Sequence, residues 1–134
     1  MSRVFFDTNV WLPVITSDGF SRRLVFAAAE RGEVVISETL WNEVADKLVL
    51  KFGLSWEQVV AGKAMIEDSG EMFTDAVEPY DASPDPRDAM LLAQAATARC
   101  EFFVTNDKPL LALGAIDAMR LVKPGEFARI IGMG

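Results

Sequence analysis

Two stretches of the chain carry the same pattern of apolar and polar positions. Val4-Phe5-Phe6-Asp7-Thr8-Asn9 and Phe102-Phe103-Val104-Thr105-Asn106-Asp107 are each a short apolar run that stops at small polar residues and an aspartate. An unbroken run of aromatic and β-branched residues fits a strand covered on both faces, whereas a half-exposed strand alternates apolar with polar. Both aspartates are therefore expected at the carboxyl ends of core strands, the edge where parallel α/β sheets bind ligands.

The rest of the chain reads as helices and strands in turn. Asn9 is expected to cap a short helix whose first turn Pro13 makes irregular. Leu24, Val25, Ala28 and Ala29 recur at helical spacing within 21–31, and Gly32 closes that segment. Glu33-Val34-Val35-Ile36 is a second strand, after which Ser37 caps a helix to about Phe52 with Leu40, Trp41, Val44 and Leu48 on one face. Ser55 caps another that carries Val59, Val60, Ala64 and Ile66 as far as Gly70. Residues 71–77 are expected as a strand and 78–86 as a loop rich in Pro, Asp and Ser. Asp85 suits the N-cap and Pro86 the first position of a helix over 87–99, which feeds the strand ending at Asp107. A short helix at Leu110-Leu111-Leu113, a strand around Met119-Arg120-Leu121-Val122 and a Pro124-capped terminal helix complete the chain. Strands alternating with helices predict an α/β fold, one domain over 1–134, with a parallel sheet of about four to five strands and helices on both faces.

Composition narrows the chemistry. The 134 residues suit one domain, 51% of them hydrophobic and 25% charged, and no apolar run approaches the roughly 18–20 residues that span a bilayer. Met1-Ser2-Arg3 leads straight into a strand without a signal-peptide core, so a cytoplasmic location and no membrane partner are expected. The single Cys100 reads as a small buried hydrophobe. There is no histidine, which excludes histidine acid/base catalysis, Ser-His-Asp and Cys-His arrangements and imidazole-based zinc sites. Carboxylates are abundant, so a hard divalent cation, Mg²⁺ or Mn²⁺, is the natural cofactor. The net charge of −7 argues against broad electrostatic attraction to nucleic acid, although a cation held among acids would make a site locally positive.

Four acids stand at expected strand ends or helix starts, and each also has an ordinary role open to it. Asp7 can cap the helix that follows. Glu43 can pair with Lys47 at i,i+4. Asp88, three residues after Asp85, sits where capping and the helix dipole already favour an acid. Asp107 precedes the Pro109 turn, where loop aspartates are common. These roles do not explain why all four fall where a parallel sheet gathers its loops.

Four blocks of the chain resemble the PIN domain family, most closely the toxin branch related to the VapC toxins of toxin–antitoxin pairs. They are Phe5-Phe6-Asp7-Thr8-Asn9-Val10-Trp11, Ser37-Glu38-Thr39-Leu40-Trp41-Asn42-Glu43, Asp85-Pro86-Arg87-Asp88-Ala89-Met90-Leu91-Leu92-Ala93 and Phe103-Val104-Thr105-Asn106-Asp107-Lys108-Pro109-Leu110-Leu111, in the family's order. The resemblance implies that Asp7, Glu43, Asp88 and Asp107 are catalytic and metal-binding, with Asn9 and Thr105 in support. Asn106 and Pro109 depart from residues common in relatives. The implied activity is a Mg²⁺- or Mn²⁺-dependent endoribonuclease in which a metal-activated water leaves a 5′-phosphate and a 3′-hydroxyl. Arg87 and Lys108, beside the acids, are expected to position substrate phosphate, with Arg22 and Arg23 as further candidates. The implied partners are RNA, a small antitoxin protein and a second copy of the chain in a homodimer, with Trp11, Trp41, Trp56, Phe20 and Phe52 lining an interface groove or simply filling the core. An RNA-processing nuclease and a non-catalytic binding module of the same fold are the alternatives. A response-regulator receiver lacks its paired acids here, and a haloacid-dehalogenase phosphatase lacks its D-x-D start.

Overall fold

Phe5 and Phe6 are neighbours on one strand, so their side chains leave opposite faces of the sheet. Both are fully buried in the computed structural model, which describes residues 2–81 and 85–133. The sheet is therefore covered on both sides. Its strands are β1 (Arg3–Phe6), β2 (Glu33–Ser37), β3 (Glu71–Phe73), β4 (Phe102–Val104), β5 (Ala115–Ile116) and β6 (Met119–Val122). They lie in the order β3-β2-β1-β4-β6-β5, and every pairing is parallel except β5 with β6. The flanking helices are α1 (Thr8–Thr16), α2 (Phe20–Arg31), α3 (Glu38–Leu50), α4 (Trp56–Ser69), α5 (Pro86–Thr97), α6 (Lys108–Leu111) and α7 (Pro124–Ile130).

The core is strongest where the two patterned strands meet. Phe5 pairs in register with Phe103, and their rings stack at 5.5 Å. On the other face Phe6 meets Trp11 and Phe127 edge-on at 6.0 and 5.7 Å. Such contacts favour offset or edge-on geometry and add to the burial of large apolar area. Gly32 permits the close approach of β2 to the chain before β1, because a Cβ there would collide with the backbone of Ser2.

Three expectations change. The sheet has six strands rather than four or five; the strand not expected is β5, a two-residue strand at the edge. β3 stops at Phe73 rather than continuing to 77, because β2, its one neighbour among the described residues, ends at Ser37 opposite Phe73 and turns into α3. The cap of α1 is Asp7, not Asn9: the Asp7 carboxylate accepts from the Thr8 backbone N–H at 2.8 Å, and the helix continues through Pro13. Ser37, Ser55 and Asp85 cap α3, α4 and α5 as expected, accepting from Leu40, Gln58 and Arg87. The loop expected over 78–86 lies partly outside the described residues. Among the described residues, no helix is long and apolar enough to cross a membrane.

Candidate active site

The strand order reverses direction between β1 and β4: β2 and β3 lie to one side, β6 and β5 to the other. At such a switch point the loops leaving neighbouring strands diverge and open a crevice at their carboxyl ends. Asp7 leaves β1 there, and Thr105 to Asp107 leave β4 beside it.

Asp7 is buried and held from three sides. Its Oδ1 accepts from Thr8 N, and its Oδ2 accepts from Thr105 Oγ1 at 2.7 Å and Asn9 Nδ2 at 3.2 Å. Thr105 is itself fully buried, and its Oγ1 also accepts from the Asp107 backbone N–H at 3.0 Å. Asn9 Oδ1 takes the Asn106 N–H at 3.1 Å, so a residue that departs from the family pattern still ties the β4 loop to α1. One small network thus fixes both patterned stretches relative to each other.

A cavity of about 290 Å³ opens above this network, walled by Asp7, Glu43, Asp85, Asp88 and Asp107 with Lys47 and Arg87 as its cations. Burial raises the pKa of Asp7, the hydrogen bonds from Thr105 and Thr8 oppose that rise, and Glu43 and Asp107 add to it by repulsion. Asp88 is pushed up to about 6, first by burial and then by repulsion from Asp7, Asp85, Asp107 and Glu43. Like charges forced together in this way favour either protonation or a bound cation. Glu43 carries the plainest mark of the imbalance. Its Oε1 reaches Lys47 Nζ at only 3.5 Å, and its Oε2 is buried with no hydrogen-bond partner.

The four acids line one cavity, and Asn9 and Thr105 hydrogen-bond the Asp7 carboxylate. Arg87 lines the cavity; Lys108, Arg22 and Arg23 do not. Arg22 instead donates to Val14 O at 2.9 Å and stands near Asp18. Lys47, which the sequence marks only as a surface pair for Glu43, and Thr8 and Asp85, which it marks for no site role, also line the cavity. The Glu43/Lys47 spacing was the available signal for the first.

The PIN domain family model matches residues 3–109, a span that contains the four acids. The chain belongs to the PIN domain family. Two solved PIN-fold structures resemble it. VapBC2 from Rickettsia felis, bound to a DNA fragment from their promoter, aligns at TM-score 0.65 and 13% identity over 90% of this chain and 98% of that one. VapC20 of Mycobacterium tuberculosis, a Sarcin-Ricin loop cleaving toxin, aligns at TM-score 0.59 and 19% identity over 87% and 98%. At these identities the likeness is one of fold. No curated protein matches the sequence.

The PIN cavity also passes a chemical test for a hard divalent ion. Its donors are carboxylate oxygens, one of them buried and unpaired, and their mutual repulsion would be relieved by positive charge. Among the described residues no group of three or more acidic side chains is already arranged to hold a metal ion.

Proposed function

We propose that this PIN domain is a Mg²⁺- or Mn²⁺-dependent endoribonuclease and the toxin of a toxin–antitoxin pair. The observation that carries the reading is the unpaired, buried Glu43 Oε2 in a cavity whose other carboxylates repel one another. Asp7, Glu43, Asp88 and Asp107 would hold the ion. When bound, it neutralises substrate phosphate and activates the attacking water. The chain's own part is orientation. Thr105, Thr8 and Asn9 lock the Asp7 carboxylate in one rotamer, and Arg87 stands at the rim to receive a non-bridging phosphate oxygen. Attack by water rather than by the substrate's 2′-hydroxyl leaves a 5′-phosphate and a 3′-hydroxyl.

The toxin role rests on family membership, on the VapC-type neighbours and on an apolar groove of about 420 Å³ between α1 and α4, walled by Ile15, Phe52, Leu54 and Met65. Trp56, 76% exposed, begins the α4 edge of this region and fits an antitoxin contact. Of the other aromatics expected at an interface, Phe20 and Phe52 are exposed, Trp41 is half-buried, and Trp11 belongs to the core with no exposure. The net charge of −7 favours a cationic antitoxin segment. The test is to induce the protein alone and with the product of the adjacent reading frame, and to assay the purified chain on single-stranded RNA with Mn²⁺. Growth arrest and cleavage that both vanish in Asp7→Asn, with arrest relieved by the neighbour, support the reading. Cleavage without arrest would leave an RNA-processing nuclease, and unaltered cleavage by Asp7→Asn would remove this site altogether.

A further inference from the structure

A second cleft, larger than the acid cavity, shares no lining residue with it. It has a volume of about 550 Å³, within the range of small-molecule sites, and lies at the carboxyl ends of β2 and β3, between the start of α3, α4 and the middle of α5. Gln94 lines it from α5. This side chain is more than nine-tenths buried; its Nε2 donates to Thr39 Oγ1 at 2.9 Å, while its Oε1 has no partner. An amide oxygen left unpaired in a buried position is costly unless something supplies a donor. Because Nε2 is engaged with Thr39, the atom left unpaired is the acceptor, Oε1.

Three further features describe what fits. Trp41 contributes a half-buried indole to the wall, a surface on which a flat ring can stack. Glu38, Glu67 and Asp75 are exposed around the cleft and outnumber its one cation, Lys63, so the acidic rim repels a phosphate and welcomes a hydrogen-bond donor. The Lys63 ammonium lies 6.0 Å from the Trp41 ring centroid, a cation–π contact on the same wall. Position completes the description. Thr39 lies one turn before Glu43 on the same face of α3, about 6 Å along the helix axis, so the cleft is one step from the acid cavity.

We propose that this cleft is a nucleobase subsite: it takes an unstacked base bearing an exocyclic amino group, adenine foremost, from the nucleotide next to the one whose phosphate occupies the acid cavity. Gln94 accepts from the amino group, as amides do in reading adenine, and Trp41 stacks on the ring. The inference deepens the ribonuclease reading and rests on it.

The experiment measures binding of fluorescein-labelled single-stranded hexamers of adenylate and of uridylate to the Asp7→Asn protein, which holds RNA without cutting it. The adenylate hexamer should bind at least tenfold more tightly, and Gln94→Met should reduce that preference to below threefold. Because Gln94 is buried, Trp41→Leu serves as a second variant and should weaken both hexamers by tenfold or more through lost stacking. Adenosine should quench the tryptophan fluorescence of the wild-type protein, and that quenching should be lost in Trp41→Leu. An unchanged preference in Gln94→Met of native melting temperature overturns the proposal, as does quenching by free arginine but not by adenosine. In either case cleavage by the wild type with Mn²⁺ leaves the ribonuclease reading standing. Absence of both cleavage and hexamer binding overturns the two together.

Discussion

The two ends of the central strands treat charge in opposite ways. At the amino end, Arg3 begins β1, pairs with Glu33 on β2, lies 3.5 Å from Glu71 on β3 and donates through Nε to Ala98 O at 2.9 Å. Opposite charges there are matched, and the contacts tie three strands together. At the carboxyl end, Asp7, Glu43, Asp88 and Asp107 line one cavity; Lys47 pairs with Glu43 Oε1 at 3.5 Å, but Glu43 Oε2 is left unmatched and the acids outnumber the cations. The same sheet therefore carries one end arranged for folding and one whose electrostatic strain a ligand would relieve. A protein keeps such strain where it is used, and supports it elsewhere with packing such as the Phe5/Phe103 stack beneath.

The sharpest way to break this contrast is to remove acids from the strained end. Asp7→Asn or Asp88→Asn should lower Mn²⁺-dependent RNA cleavage by about 10³-fold or more, with the fold retained by circular dichroism. Unfolding instead would show that these acids serve the fold, as Arg3 does. A smaller effect is expected one layer down. Thr105→Val deletes the hydroxyl that holds Asp7 and should cost about 10–100-fold in kcat with little change in KM, as loss of a supporting contact to a ligand does.

The amino end should show the reverse profile. Arg3→Met removes the matched pairs and should cost about 1 kcal/mol by urea denaturation, since the ions are partly exposed, while cleavage stays within about twofold.

The smallest effect concerns pH. The carboxyl of Asp88 rises from 3.8 to about 6 on folding, so the folded state holds the proton more tightly than the unfolded chain. The stability linked to Asp88 is then fully present below pH 3.8 and is lost as pH rises through about 6. Asp88→Asn should accordingly raise Tm by about 2 °C at pH 7.5 and leave it unchanged at pH 3.5. Cleavage by the wild type should decline below about pH 6 as Asp88 takes up its proton. An unchanged Tm at pH 7.5 would mean that the acids at this end are not in conflict.

The elements were readable wherever a local rule governs them. Phe5-Phe6 and Phe102-Phe103 announced strands covered on both faces because strand side chains alternate, leaving no exposed side for an unbroken apolar run. Ser37, Ser55 and Asp85 marked helix starts because a short polar side chain satisfies the first free N–H groups. The four acids were readable only as a set, through their order along the chain and the family pattern, since each alone has an ordinary role. The true length of β3 was not readable: residues 74–77 look like a continuing strand, but a strand exists only while a neighbour runs beside it, and β2 ends first.

What the sequence determined by itself is thus the inventory: α/β class, the order of most elements, a chemistry of carboxylates without histidine, and the two stretches on which the site is built. Tertiary structure decided who meets whom. Thr105 reaches Asp7 across 98 positions, and Gln94 reaches Thr39 across 55. Likewise Lys108, one residue from Asp107, misses the cavity that Lys47 lines. Capping and periodicity act over a few residues and leave their mark in local order. The placement of a side chain on a cavity wall depends on strand order and crossover, which no short stretch of sequence contains.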